Sequence, residues 1–108
     1  MIEGIGKDVE ITENEKGGKQ SNTPYSFDLL DAKSMFELAK VLNIGAEKYE
    51  PNNWRKISCN DHINHALQHI FGHMAGDTQD DHLEHAFCRL MMAVATKESD
   101  RNEDNKNT

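Results

Sequence analysis

The chain has no apolar run approaching the roughly 20 residues that a membrane-spanning helix requires. Its first residues, Met1 to Asp8, show no basic stretch followed by an apolar one, so neither a membrane span nor a secretory leader is expected. Cysteine is scarce: Cys59 and Cys88 are the only two, too few for a disulfide framework and not at zinc-ligand spacing, so two reduced thiols are expected. Proline is confined to Pro24 and Pro51, and tryptophan to Trp54. Positive charge is also short. Twelve Lys and Arg stand against 19 Asp and Glu, a net charge of -7 over 108 residues. That balance argues against a nucleic acid polymer bound by bulk charge, while leaving room for a small phosphate ligand carried with a divalent cation. Apolar residues are only 36% of the chain, which makes a thin core and predicts a homo-oligomer, a dimer or tetramer.

What is present falls into three zones: an arm over 1–24, a helical domain over 25–97, and a polar tail over 98–108. The arm holds four of the seven glycines, Gly4, Gly6, Gly17 and Gly18, and one strand-like alternation at Val9-Glu10-Ile11-Thr12. The tail after Lys97 has no apolar residue and is expected to be solvated and disordered. Between them the apolar spacing predicts three helices and an all-α fold, a small bundle completed by oligomerisation. The first helix spans about 31–49, capped by Asp28 or Asp31 and stopped by Pro51, with Met35, Leu38, Leu42, Ala46 and Tyr49 on one stripe. The second spans about 61–75, with Ser58 or Asn60 as cap and Gly76 as stop. Ile63, Ala66, Leu67, Ile70 and Met74 form its apolar face. The third spans about 81–98, with Leu83, Ala86, Phe87, Leu90 and Val94 expected to face the core. Asp81, His85, Cys88 and Met92 lie opposite, as a second burial surface.

Several groups can carry chemistry. Glu47 and Glu50 stand three apart at the end of the first helix, and Asp81 and Glu84 three apart at the start of the third. Residues three apart share a helix face. Two such pairs in antiparallel packing would offer the oxygen ligands that Mg²⁺ prefers; the plain alternative is ordinary solvated helix charge. His62, His65, His69 and His73 fall within an arc of about 80° on the second helix, and His82 and His85 follow on the third. These spacings permit zinc ligation. Neither set has the metalloprotease order His-Glu-x-x-His, so contact with a phosphate or a role as base is favoured over zinc, with satisfied interfacial histidines as the alternative. Gly17-Gly18-Lys19 is either a flexible linker or a backbone wrap for a phosphate. Trp54 follows Pro51-Asn52-Asn53 in a loop. It either stacks on a base or plugs the bundle, with Arg55 and Lys56 beside it.

Taken together, Gly45-Ala46-Glu47-Lys48-Tyr49, Asn53-Trp54-Arg55-Lys56, the His-rich helix and Asp81-His82-Leu83-Glu84-His85-Ala86 resemble a phage and prophage family of dATP/dGTP diphosphohydrolase domains. Gly17-Gly18-Lys19 and Phe27-Asp28-Leu29-Leu30 look like its N-terminal elements, so the resemblance covers roughly 13–97. The family is similar to the MazG-like all-α nucleotide pyrophosphatases, which hold divalent metal on helix-borne acids. That larger group carries Glu-x-x-Glu on one helix and Glu-x-x-Asp on another. Here Glu50 directly precedes Pro51, and the second pair reads Asp81-x-x-Glu84 with the acids swapped. Glu47, His69, His82 and His85 carry more of the family signature than Glu50 or Glu84.

The resemblance implies a metal-dependent pyrophosphohydrolase that converts a deoxypurine nucleoside triphosphate to the monophosphate and pyrophosphate. On that reading Glu47, Asp81, His85 and His69 are catalytic. Mg²⁺ or Mn²⁺ sits on Glu47, Glu50, Asp81 and Glu84. Gly18, Lys19, Asn53, Trp54, Arg55, Lys56 and His82 meet the nucleotide. The expected setting is the cytoplasm of a bacterial host, where a phage protein would reshape nucleotide pools. The alternative, from another class, is a phage protein that binds and sequesters a nucleotide without cleaving it.

Overall fold

The computed structural model describes the backbone of residues 2–106 and the side chains as far as residue 98. The chain divides into two compact units, one ending at Asp31 and the other beginning at Ala32, seven residues beyond the boundary expected at 24. The first unit holds a hairpin of β1 (Ile11–Glu13) and β2 (Lys19–Ser21), paired antiparallel with Thr12 opposite Gln20. The alternation at 9–12 marks only its first strand. Asn14 builds the turn. Its backbone N–H donates to the Gly18 carbonyl, its carbonyl accepts from Gly17, and its side-chain Oδ1 accepts from the N–H groups of Lys16 and Gly18 at 3.0 and 2.8 Å. A 3-10 turn at Phe27–Leu29 follows.

The second unit is helical, as the spacing predicts: α1 (Ala32–Lys48), a 3-10 turn at Asn53–Lys56, α2 (Cys59–Met74) and α3 (His82–Lys106). Ser58 caps α2, its hydroxyl accepting from the Asp61 N–H at 3.1 Å. At the other end Gly76 takes φ +82° and donates to the His73 carbonyl, the left-handed close that glycine makes without strain. α3 runs on to Lys106, through most of the segment expected as a tail. Residues 82–106 contain no Gly or Pro, so nothing local breaks the helix. Among the described residues no helix is long and apolar enough to cross a membrane. Neither cysteine forms a disulfide.

α2 and α3 pack antiparallel. His69 meets His82 and His62 meets Arg89, so seven residues back along α2 match seven forward along α3. The seam is made of small residues, Ala66, Ala86 and Ala93, with Cys88 and Thr96 also buried, and small side chains let two helices approach closely. Here the expected orientation of α3 is reversed. His85, Cys88 and Met92 turn toward α1 and the interior, with Cys88 only 2% exposed, whereas Leu83, Phe87, Leu90 and Val94 face outward. Only Ala86 of the expected core face is buried. α1 has no buried residue at all.

Candidate functional site

The site grows from the crossing of α1, the Asn53–Lys56 turn and α3. Asn52 adopts φ +66°, a conformation Asn tolerates better than most residues, and turns the chain so that Trp54 and Arg55 come back over the helices. The Arg55 guanidinium lies 4.3 Å from the centre of the indole ring, a cation–π stack. His62, fully buried, holds this turn to the bundle: its Nε2–H donates to the Trp54 carbonyl at 2.9 Å, and its Nδ1 accepts from Arg89 Nη1 at 3.1 Å. A carbonyl can only accept and a guanidinium can only donate, so the neutral Nε2–H tautomer is fixed. Burial holds the His62 pKa below 6.5, with the Trp54 hydrogen bond opposing it.

Between these elements opens a cavity of about 810 Å³. Its walls include Leu42 and Ala46 of α1, Tyr49 just after it, Asn53, Trp54 and Arg55 of the turn, and His85, Cys88, Arg89 and Met92 of α3. Among the described residues the cations Lys48, Arg55 and Arg89 line it, together with the acids Glu50 and Asp80. A volume of that size suits a small-molecule ligand, and a flat indole beside guanidinium groups suits a base with phosphates.

At one end of the cavity the histidines gather. His69 and His85 stack with ring centres 5.1 Å apart, and His69 lies 5.2 Å from His82. His69 Nδ1 and His82 Nδ1 are 2.9 Å apart. His82 Nε2 is 2.6 Å from Asp77 Oδ2, and His85 Nε2 is 3.3 Å from Asp80 Oδ1. Burial first, then the neighbouring His85, pushes the His69 pKa below 6.5, and the hydrogen bond with His82 holds the Asp77 carboxyl below its usual range.

The residues named from sequence are distributed unevenly over this geometry. Asn53, Trp54, Arg55, Glu50, His69 and His85 line the cavity. His82 stands behind His69 and does not line it. Lys56 is turned to Glu50, Nζ to Oε1 2.8 Å, in an exposed pair. Glu47 and Asp81 are exposed, Glu84 is half-buried, and none of the three lines the cavity. No three of Glu47, Glu50, Asp81 and Glu84 bring oxygens within 4.8 Å of one another; among the described residues only His69, Asp80 and His82 form such a group. Gly18 and Lys19 belong to the hairpin of the first unit, where the Gly18 N–H already donates to Asn14.

Sequence reasoning missed the roles of Arg89, Asp80 and Asp77, and took His62 only as one member of the histidine arc. Arg89 follows His85 at i+4 with Met92 at i+7 on the same inward face, the one usable signal.

A family model described as dATP/dGTP diphosphohydrolase, N-terminal, matches residues 14–106. The chain belongs to that family. The match begins in the hairpin turn and takes in all three helices, so it covers every residue of the cavity. No curated protein and no solved structure matches the chain.

Proposed function

We propose that the cavity binds a deoxypurine nucleoside triphosphate and hydrolyses it to the monophosphate and pyrophosphate. The family membership supplies the reaction class. The observation that carries the reading is the meeting of Trp54, Arg55, Arg89 and His85 around one cavity large enough for a nucleotide. The base lies against the Trp54 indole. Arg55, Arg89 and Lys48 face the phosphates, where bidentate guanidinium contacts are strongest. A water attacks the α-phosphorus, the bond to the bridging oxygen breaks, and pyrophosphate leaves with that oxygen. His85 takes the water's proton; with Nε2 turned to Asp80, its Nδ1 is left for this work, an arrangement of base and orienting carboxylate that recurs in hydrolases.

Mg²⁺ or Mn²⁺ is the cofactor expected from the resemblance. Glu47, Glu50, Asp81 and Glu84, which would hold it, do not converge within the chain, and the steps above use only the cavity's own groups. That same observation favours a second reading, a protein that sequesters a nucleotide without turnover.

One experiment separates them. The chain is incubated with each dNTP in Mg²⁺, Mn²⁺ or EDTA and the phosphate products are resolved by chromatography, with nucleotide binding followed by calorimetry. dATP or dGTP giving monophosphate and pyrophosphate, with His85→Gln lowering kcat about 10²–10⁴-fold as loss of a general base does, supports the enzyme. Tight, EDTA-resistant binding with no product in any cation supports sequestration.

We also propose a homo-oligomer. Ile63, Leu67, Phe71 and Met74 of α2 are exposed, as are Leu83, Phe87, Leu90 and Val94 of α3. At 100° per residue on antiparallel neighbours both stripes emerge on the side turned away from α1. An apolar face of that extent is a covered surface in most soluble proteins.

A further inference from the structure

We propose that His69, Asp80 and His82 form a binding site for a divalent transition-metal cation of the Zn²⁺ type, through two imidazole nitrogens and one carboxylate oxygen, with an open position toward the cavity. The proposal stands on the geometry of these side chains and does not depend on the cavity's proposed hydrolysis.

Four features point the same way. First, the three residues each present a ligand atom within 4.8 Å of the other two. The two Nδ1 atoms, 2.9 Å apart, are already at ligand separation: nitrogens held about 2.0–2.1 Å from a metal span roughly 2.9 Å at a right angle and about 3.3 Å at the tetrahedral angle.

Second, His82 is oriented as metal-bound imidazoles are. Its Nε2–H donates to Asp77 Oδ2 at 2.6 Å, which leaves Nδ1 as the lone-pair nitrogen aimed at His69. A carboxylate behind a ligating histidine fixes tautomer and ring angle and raises basicity.

Third, the ring has a built seat. A Cβ on Gly72 would stand 2.9 Å from His82 Cε1 and Nε2, so the absence of a side chain at 72 is what lets this imidazole lie against α2.

Fourth, His69 and Asp80 line the cavity and His82 does not, so the group stands at the cavity's edge, with room on that side for a further ligand. Three protein ligands and one open position is the arrangement of catalytic zinc sites, and two imidazoles with one carboxylate select Zn²⁺ and its neighbours over Mg²⁺, which wants oxygen alone.

The test uses the full chain, stripped with EDTA and dialysed, then titrated with Co²⁺ as an optical probe and with Zn²⁺ by calorimetry. The expected result is one equivalent bound per folded chain, with the visible d–d absorption of a Co²⁺–imidazole site and no displacement by excess Mg²⁺. His69→Gln and His82→Gln should weaken Co²⁺ binding by about 100-fold or more. Asp77→Asn should weaken it about 10–100-fold, the usual loss for a partner behind a ligand. His73→Gln, an exposed histidine on the same helix, should leave it unchanged. Thermal transitions in EDTA check that each variant folds. Should a histidine variant unfold, Asp80→Asn decides, since Asp80 is exposed and Asn keeps the shape and one oxygen for the Asp81 N–H while removing the carboxylate charge; the readout is metal binding, which the loss of the His85 contact does not itself move. Absence of Co²⁺ and Zn²⁺ binding by the wild type overturns the site, as does binding that survives His69→Gln, His82→Gln and Asp80→Asn together.

Discussion

His62 shows how one residue joins sequence to site. It lies on the same arc as His65, His69 and His73, yet it alone is fully buried, tying Trp54 to Arg89 across two helices. Its neutral form is the one that accepts from Arg89. Burial places its folded-state pKa below 6.5, so the unfolded chain binds more protons as the pH falls beneath that value. Stability from this group is therefore complete above pH 6.5 and is lost as the pH drops through the folded pKa. His62→Leu leaves a guanidinium N–H without its acceptor and should cost about 1–3 kcal/mol. It should also flatten the acid slope below pH 6.5. Urea denaturation from pH 5 to 8 on both proteins checks the pair of effects; an unchanged acid slope in the variant would remove His62 as its source. The histidine arc was legible from spacing alone. Its partners were not: Asp77 and Asp80 come from the connection after Gly76, which has no period to read, and Arg89 in mid-helix looks like any solvated cation until His62 is placed beside it.

At the level of elements, the helices were legible because their punctuation is chemical. Ser58 caps, Pro51 interrupts and Gly76 closes, each for a backbone reason that needs no tertiary context. The inward face of α3 was not legible. Both of its sides are apolar, and the stripe with the larger side chains, Leu83, Phe87, Leu90 and Val94, reads as the core face ahead of Cys88 and Ala93. Close packing against α2 selects the small residues, so the larger stripe is left outside. The hairpin escaped notice for a related cause: β2 is Lys-Gln-Ser, exposed throughout, and its register rests on the Asn14 turn and on main-chain pairing with β1 rather than on any apolar pattern. α1 differs from its neighbours in having no buried residue, and it forms a wall of the cavity from Ala39 to Lys48. Local opening is easiest where little apolar surface is buried. Amide hydrogen exchange should therefore be faster in α1 than in α2 or the first half of α3, and nucleotide should slow α1 most. Equal protection of the three helices in the free protein, or no change in α1 on adding dATP or dGTP, would contradict this role for α1.

For the whole molecule the deciding quantity is the apolar surface left in solvent. Phe71 is 63% exposed and Val94 65%, while only four apolar residues of the chain's described part, all small, are fully buried. A helical unit that buries so little has scant stability of its own. Two copies meeting through α2 and α3 would convert the outer stripe into the centre of a four-helix bundle, with interdigitated Leu, Phe and Val in place of the small-residue seam inside each chain. Folding and association would then be linked, and the melting temperature would rise with protein concentration. The expected outcome is a dimer or tetramer mass by light scattering at micromolar concentration. Leu90→Glu should shift it to monomer, because a charge buried at such a seam costs several kcal/mol. It should also lower the thermal transition and remove its concentration dependence, although Leu90 neither lines the cavity nor belongs to the histidine group. A monomer mass for the wild type, or a Leu90→Glu protein that keeps the wild-type mass, would show that this face stays in water.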